Sequence, residues 1–387
     1  MKFLFVGTNP ERTGAATHFV ALAQALVEAG HAVSVVTCAD SLIEQELLPT
    51  GVDLHRGMFR NAFDLRGYAN VLSAARRSRP DWLVGNFGKE YWPLIILGRL
   101  LHVPVALFRH RVPPMKWLSG YCLPRLAARF LVVSNYARQA YLERGVPAER
   151  IQVLYNPVDM ASYAPDAGKR GTMLRALNID DDAIVLGYCG RMHATKGIFT
   201  LLAAVTSAMA AEPRLHCLWL GDGVDARSLR DQAASSPMGR RHHFLGWVNH
   251  NQPCYQAMSM LAFPSIAPET FGRVSVEAQA AGIPVLGSDV GGVPETLNPG
   301  VSGILLPPGD VAAWRAAILK VCDASSRLPV GTRLPMGVAA QAFVREHFST
   351  NVIAGEFVRL LMTAITPTSG ATGIDRHDSH RMHQSPG

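Results

Sequence analysis

Two glutamates, Glu269 and Glu277, open the chemical reading. They lie in the stretch Pro264-Ser265-Ile266-Ala267-Pro268-Glu269-Thr270-Phe271-Gly272-Arg273-Val274-Ser275-Val276-Glu277-Ala278. An apolar run ends at Pro264, a turn follows, and a helix is expected from Gly272 through Ala281. A helix start presents unpaired N–H groups and about half a positive charge, which suits a phosphate. Gly272 lacks a Cβ, so a ligand is expected to approach its backbone closely. The spacing is roughly 12 Å if wholly helical, about the separation needed to hold both ends of a nucleoside-diphosphate sugar. A carboxylate also accepts both hydroxyls of a ribose. Either glutamate alone reads as a solvated surface charge; the motif around the pair argues otherwise.

A second group of residues is Gly190-Arg191-Met192-His193-Ala194-Thr195-Lys196-Gly197. It follows directly on the apolar run Ile184 to Cys189. Two cations at the carboxyl end of a strand can neutralise a diphosphate and stabilise a departing nucleotide. Alone the string is also compatible with two solvated loop cations. It is not a Walker loop, because the G-x4-G-K-[ST] spacing is absent.

These loops need strands and helices to hold them. Phe3 to Val6 reads as a buried strand, followed by a loop from Thr8 to Gly14. Phe19, Leu22, Ala23 and Leu26 then mark one helical face, and Gly30 ends it. Ala32 to Thr37 is a second strand, so the unit is a parallel βαβ crossover. Short apolar runs at 82–85, 105–108 and 130–133 continue the pattern, which makes residues 1–160 one doubly wound domain. Asn156-Pro157-Val158-Asp159 and the polar stretch 164–171 read as a linker. Alternation restarts at Ile184, so residues 161–365 form a second doubly wound domain, with a cleft between the two. Ligands of open α/β sheets bind beyond the carboxyl ends of the strands. Residues 366–387, with His377, His380 and His383, read as a disordered tail.

Composition removes several classes. The chain has 387 residues, too many for one ordinary core. Hydrophobic residues are 48% and charged residues 17%, which is globular rather than disordered. The six cysteines form no C-x-x-C pair, so neither a disulfide framework nor a zinc site is expected, and a cytoplasmic setting fits. The longest apolar region, 91–108, is broken by Pro93, Arg99, His102 and Pro104, and is too interrupted to cross a bilayer. No G-x-G-x-x-G follows a strand, which excludes a dinucleotide dehydrogenase. The basic residues form no run, and nucleic-acid binding is not expected. The net charge of +7 resides mainly in residues 1–160, with 18 Lys+Arg against 12 Asp+Glu.

Taken together, these motifs resemble glycosyltransferase family 4, retaining enzymes of the GT-B fold. The E-x7-E element is Glu269 to Glu277, and the phosphate loop is Gly190-Arg191…Lys196-Gly197. Gly282-Ile283-Pro284-Val285 and Gly291-Gly292-Val293-Pro294-Glu295 match the usual continuation, and Asn156-Pro157-Val158-Asp159 resembles the family's interdomain N-G-V-D. The resemblance runs from Met1 to about Ala364 and is strongest in the second half. It implies an α/β fold of two Rossmann-like domains facing a central cleft. It implies that Arg191 and Lys196 hold the donor diphosphate, with Gly190 in the same loop. Glu277 takes the ribose hydroxyls and Glu269 contacts the donor sugar. The backbone at Thr270, Phe271, Gly272 and Val274 positions sugar and phosphate, and Val248 lies where the nucleobase binds. In the first domain a single glycine, Gly14 in Arg12-Thr13-Gly14-Ala15, stands where the family often has two. His110, in Phe108-Arg109-His110-Arg111 after the third or fourth strand, is the implied active-site histidine.

No nucleophile and base pair stands out, and there is no D-x-D metal motif. The mechanism implied for this group needs no metal or other cofactor: the nucleotide leaves on the face where the acceptor hydroxyl arrives, and its phosphate takes the proton. The protein positions the groups and stabilises charge. The expected donor is a UDP- or GDP-linked sugar. The expected acceptor is a saccharide or lipid-linked saccharide in lipopolysaccharide or other cell-surface polysaccharide synthesis. Aromatic and cationic residues at Lys116, Trp117, Tyr121 and Arg125 suit either an anionic membrane surface or an ordinary amphipathic helix. Two other readings stand beside this one: a nucleotide-sugar epimerase of the same fold, and a non-catalytic nucleotide-sugar-binding protein.

Overall fold

The structure, a computed structural model, describes residues 1–365 apart from Arg12, Pro113 and Pro114. The expected disordered tail lies outside the described residues. Thirteen strands form two sheets. The first holds β1 (Lys2–Gly7), β2 (Ala32–Thr37), β3 (Asp53–Arg56), β4 (Trp82–Gly85), β5 (Val105–Arg109), β6 (Arg129–Val132) and β7 (Ile151–Val153). The second holds β8 (Ile184–Cys189), β9 (Leu215–Leu220), β10 (His242–Gly246), β11 (Met260–Phe263), β12 (Val285–Ser288) and β13 (Gly303–Leu306). All strand pairings within the sheets are parallel. Helices cover both faces of such sheets, and the central strands are accordingly near-continuous apolar runs. Phe3, Leu4, Phe5 and Val6 are all buried.

Strand order is β3-β2-β1-β4-β5-β6-β7 in one sheet and β10-β9-β8-β11-β12-β13 in the other. The order therefore reverses between β1 and β4, and again between β8 and β11. A crevice opens at such a reversal, where neighbouring crossovers run to opposite faces. The loops singled out by sequence leave β1, β8 and β11, each beside a reversal.

Local chemistry fixes the first of these loops. Thr13 caps the helix Gly14–Glu28 by accepting from the Ala16 amide at 3.3 Å. Upstream, the buried Glu90 carboxylate accepts from the Thr8 amide at 2.5 Å and the Thr8 hydroxyl at 2.7 Å. Its other oxygen accepts from the Phe87 amide at 3.2 Å. Burial pushes the Glu90 carboxyl up to about 7 against the pull of these donors. The segments after β1 and β4 are thereby tied together.

His110 follows β5, the fifth strand, rather than the third or fourth. β3 is a polar edge strand, Asp53-Leu54-His55-Arg56, and a search for apolar runs passes over it. The last helix, Thr350–Ile365, crosses back onto the first sheet. Phe357 is buried there, its ring 5.8 Å from that of Phe3, and Arg129 Nε donates to the Leu360 carbonyl at 2.6 Å.

In the second domain three loops touch backbone to backbone. The amides of Ile266 and Ala267 donate to the Thr195 carbonyl at 2.9 and 3.1 Å, and that of Gly292 donates to the Glu269 carbonyl at 2.8 Å. Gly197, at φ +68°, leaves no room for a side chain: a Cβ would lie 1.8 Å from the Pro264 carbonyl oxygen. Gly309 offers a control, at φ +80° with nothing within 4 Å of its Cβ position. In denaturant titrations Gly309→Ala should lose only about 1–2 kcal/mol, the cost of left-handed backbone. Gly197→Ala should lose clearly more, and equal losses would contradict the clash.

Candidate active site

Glu269 lies in the loop that enters the helix Arg273–Ala280, and Glu277 lies within that helix. Glu269 Oε1 accepts from Lys196 Nζ at 2.5 Å and from the Ser265 hydroxyl at 2.5 Å. The phosphate loop and the loop after β11 are thus joined by an ion pair as well as by backbone. Oε2 of Glu269 has no partner among the described residues. Glu277 lies inside the helix Arg273–Ala280 and is buried. Its Oε1 accepts from Arg273 Nη2 at 2.5 Å, one helical turn back. Its Oε2 accepts from Asn251 Nδ2 at 3.1 Å and Tyr255 Oη at 3.0 Å. A carboxylate offers about four acceptor sites, so capacity remains for a hydroxyl. The amides of Phe271 and Gly272 donate to nothing among the described residues.

A cavity of about 430 Å³ lies between the domains. Thr13, Gly14 and Thr17 line it from the first domain, and Gly190, Arg191, Val248, Arg273 and Glu277 from the second. The Arg191 side chain is exposed and has no acidic partner among the described residues, so its charge is available to a ligand. Arg273 Nη1 reaches across to the Gly14 carbonyl at 3.4 Å. Cys189 also lines the cavity; burial, then the Glu277 charge, push its thiol up to about 12, so it stays protonated.

On the first-domain side His110 is half-buried. Its Nε2 lies 2.7 Å from Asn86 Oδ1, while Asn86 Nδ2 donates to the Ala15 carbonyl at 2.9 Å. That network assigns the imidazole proton to Nε2. Burial, then the charges of Arg109 and Arg273, hold the His110 pKa down at about 3. The ring is therefore neutral at ordinary pH, a hydrogen-bonding group rather than a proton reservoir.

Of the residues expected from sequence, Gly14, Gly190, Arg191, Val248 and Glu277 share this cavity. Lys196 and Glu269 are not among its lining residues and form an ion pair with each other. His110, Thr270, Phe271, Gly272 and Val274 do not line it. The Thr270 carbonyl accepts from Ser134 Oγ of the first domain at 2.5 Å. Phe271 is buried against Tyr155, ring to ring at 5.8 Å. A Cβ on Gly272 would lie 2.8 Å from the Phe263 ring and 3.2 Å from Thr296, so core packing also requires a glycine there. Arg273, Asn251, Tyr255 and Asn86 escaped the sequence reading. Only Arg273 carried a signal, its placement four residues before Glu277.

Among the described residues no group of three or more His, Cys, Asp or Glu side chains stands ready to hold a metal.

Known proteins are similar to this chain in sequence and fold. Residues 12–162 match the family model described as Glycosyltransferase Family 4, and residues 183–324 match the one described as Glycosyl transferases group 1. The D-inositol 3-phosphate glycosyltransferase of Segniliparus rotundus is 29% identical over 64% of this chain and 55% of its own length. The chain thus spans about half of that relative. A protein of the same name from Kribbella flavida is 26% identical over 84% of this chain and 85% of its own. Among solved structures, Anabaena Alr3699/HepE in complex with UDP superposes with a TM-score of 0.79 at 22% identity. That superposition covers 94% of this chain and 100% of the other, and it shows the fold. Each half thus matches a glycosyltransferase family model, and the whole chain has the fold of the GT-B glycosyltransferases.

Proposed function

We propose that the protein transfers a sugar, with retention and without a metal, from a UDP-sugar to a hydroxyl of an anionic acceptor. One observation carries the reading: an unpaired Arg191 and the Glu277 carboxylate face one interdomain cavity beside the chain-order reversals of both sheets. The donor's ribose hydroxyls bind the free acceptor capacity of Glu277. Its diphosphate draws in Arg191 and competes with Glu269 for Lys196. Glu269, released from part of that pairing, turns to the sugar hydroxyls. The bond from the anomeric carbon to the β-phosphate oxygen breaks as the acceptor oxygen arrives on the same face, and the phosphate oxygen takes the acceptor proton. Lys196 and Arg191 stabilise the charge that builds on the leaving group. Uridine is favoured over guanosine because the Anabaena neighbour is a complex with UDP.

Two features support an anionic acceptor. Residues 1–160 hold the basic excess, and the relatives are named for a phosphorylated inositol. A free phosphorylated polyol and a membrane-borne precursor of lipopolysaccharide or another surface polysaccharide share that chemistry. The membrane-borne form gains support from the helix Trp117–Leu126. It buries Leu123 and Pro124 yet leaves Trp117 83%, Leu118 57% and Tyr121 54% exposed. The Trp117 and Tyr121 rings stack, and the Arg125 guanidinium lies 3.9 Å from the Tyr121 centroid. Aromatic bodies with cationic tips suit the interface of an anionic bilayer. No helix among the described residues is long and apolar enough to cross one, so we propose a cytoplasmic protein that rests on the inner face.

Lys196→Ala should lower turnover of UDP-sugar on the order of 10² or more, the worth of one charge-stabilising group; near-normal turnover would remove its role. Glu277→Ala should weaken UDP binding in calorimetry, whereas unchanged affinity would sink the ribose contact. In flotation assays the protein should rise with vesicles of anionic phospholipid at low salt, and Trp117→Ala should reduce the bound fraction. A wild-type protein that stays at the bottom ends the membrane part of the proposal.

A further inference from the structure

Arg273 is the first residue of the helix Arg273–Ala280, and no acidic residue stands in that first turn. A cation is unfavourable there, because the start of a helix carries the positive end of its dipole. Arginine before glutamate at i and i+4 is also the weaker order for a helical ion pair. Local helix stability therefore gives no reason for an arginine at this position. A local rule broken inside a site points to a use.

The contacts show what the arginine does. Nη2 donates to Glu277 Oε1 at 2.5 Å, while Nη1 donates to the Gly14 carbonyl of the first domain at 3.4 Å. Gly14 also packs against it: a Cβ on that glycine would lie 3.7 Å from both Cδ and Nη1 of Arg273. The Arg273 side chain is 28% exposed and lines the interdomain cavity together with Gly14 and Glu277. Asn251 and Tyr255 hold the other oxygen of Glu277, so the arginine fixes the second end of that carboxylate. A buried carboxylate needs one cation to offset its charge, and a lysine would supply it. A guanidinium adds a rigid fork, whose two terminal nitrogens can serve two acceptors at once. Here the two acceptors belong to different domains. Ser134 and the helix Asn135–Leu142, after β6, meet Thr270 and Glu295 on one flank. Arg273 meets the loop after β1, with β4 and β5 lying between the two flanks.

We propose that Arg273 is a positioning residue for the transfer, a strut between the domains. One end sets the carboxylate that takes the donor's ribose. The other holds the Gly14 loop, and so places the first domain against a donor bound to the second. The inference rests on the donor site proposed above.

The test separates the two ends. Calorimetry with UDP reads the Glu277 end, and turnover in UDP-glucose hydrolysis reads both. Arg273→Lys keeps a cation for Glu277 but cannot also span to Gly14. It should bind UDP within about threefold of the wild type yet lose about tenfold in kcat, the worth of one hydrogen bond. Arg273→Met keeps the apolar stem and lacks both ends. Its Kd for UDP should rise about tenfold or more, and its kcat should fall at least as far as that of the lysine variant. An arginine with a merely structural role would lower the melting temperature of both variants and would not separate Kd from kcat. Three results overturn the strut: wild-type kcat in Arg273→Lys, wild-type Kd in Arg273→Met, or a lysine variant whose Kd worsens as much as its kcat. If Arg273→Met does not fold, Arg273→Lys carries the comparison alone. A wild-type protein that binds UDP, with both variants equal to it, refutes the strut only; one that binds no UDP refutes the donor site and the strut with it.

Discussion

The second domain depends on close approach of main chain to main chain at the carboxyl edge of its sheet. The loop after β8, the loop after β11 and the loop after β12 meet there through carbonyls and amides, to which the Lys196–Glu269 ion pair is added. Two glycines in left-handed conformation make the contact possible. A Cβ on Gly197 would enter the Pro264 carbonyl, and one on Gly291, at φ +58°, would lie 2.3 Å from the Glu269 carbonyl oxygen. L-residues with side chains avoid that backbone region and would clash as well. The consequence is a rigid shelf. Lys196 and Glu269 come from loops some seventy residues apart, yet their ion pair is set by the backbone beneath them. A group placed this way loses little conformational freedom when a ligand arrives, which is the physical content of preorganisation.

The shelf is not isolated from the first domain. Glu295 accepts from the amides of Asn135 and Tyr136 at 2.7 and 2.8 Å, the first turn of the helix Asn135–Leu142. A carboxylate at a helix start gains from the helix dipole and satisfies donors that have no partner within the helix. Tyr155 Oη also reaches Glu295, at 3.1 Å, and burial followed by the Glu295 charge pushes the phenol up to about 12. Beside them Ser134 donates to the carbonyl of Thr270, next to Glu269. The loop that carries Glu269 therefore touches both domains. Any shift of that loop toward a ligand is felt at the first domain, and domain rotation is felt at the loop.

Legibility in the sequence follows the kind of interaction involved. Central parallel strands are legible because both faces are buried and the apolar run is continuous, as in Phe3 to Val6 or Ile184 to Cys189. The edge strand β3 is not, since its alternation of Asp53, Leu54, His55 and Arg56 resembles a loop. Glu269, Lys196, Arg191 and Glu277 are legible because backbone-rich phosphate loops demand glycine at fixed spacing. Asn86, Asn251 and Tyr255 are not. Each acts through a tertiary contact, to His110 or to Glu277, Asn86 and Asn251 from loops and Tyr255 from the short helix Gln252–Ala257, and no local sequence pattern announces it. Gly272 is legible in part: its place in the motif shows in the sequence, but the crowding of its Cβ position by Phe263 and Thr296 is set by tertiary packing.

The protonation states around the cleft narrow what the side chains themselves can do. His110 is neutral, with its proton committed to Asn86, and would accept another only near pH 3. Cys189 keeps its proton to about pH 12. Glu277 is already engaged by three donors, two of them uncharged. Neither His110 nor Cys189 is placed to shuttle a proton in the neutral range, which is the range a general acid or base must titrate in to be efficient. At the cavity wall Arg191 has no acidic partner among the described residues, and Lys196 of the same loop is paired with Glu269, which keeps a free oxygen. Such an arrangement works by field and position. In the reaction proposed above the departing phosphate serves as the base, placed by these cations where the incoming hydroxyl arrives.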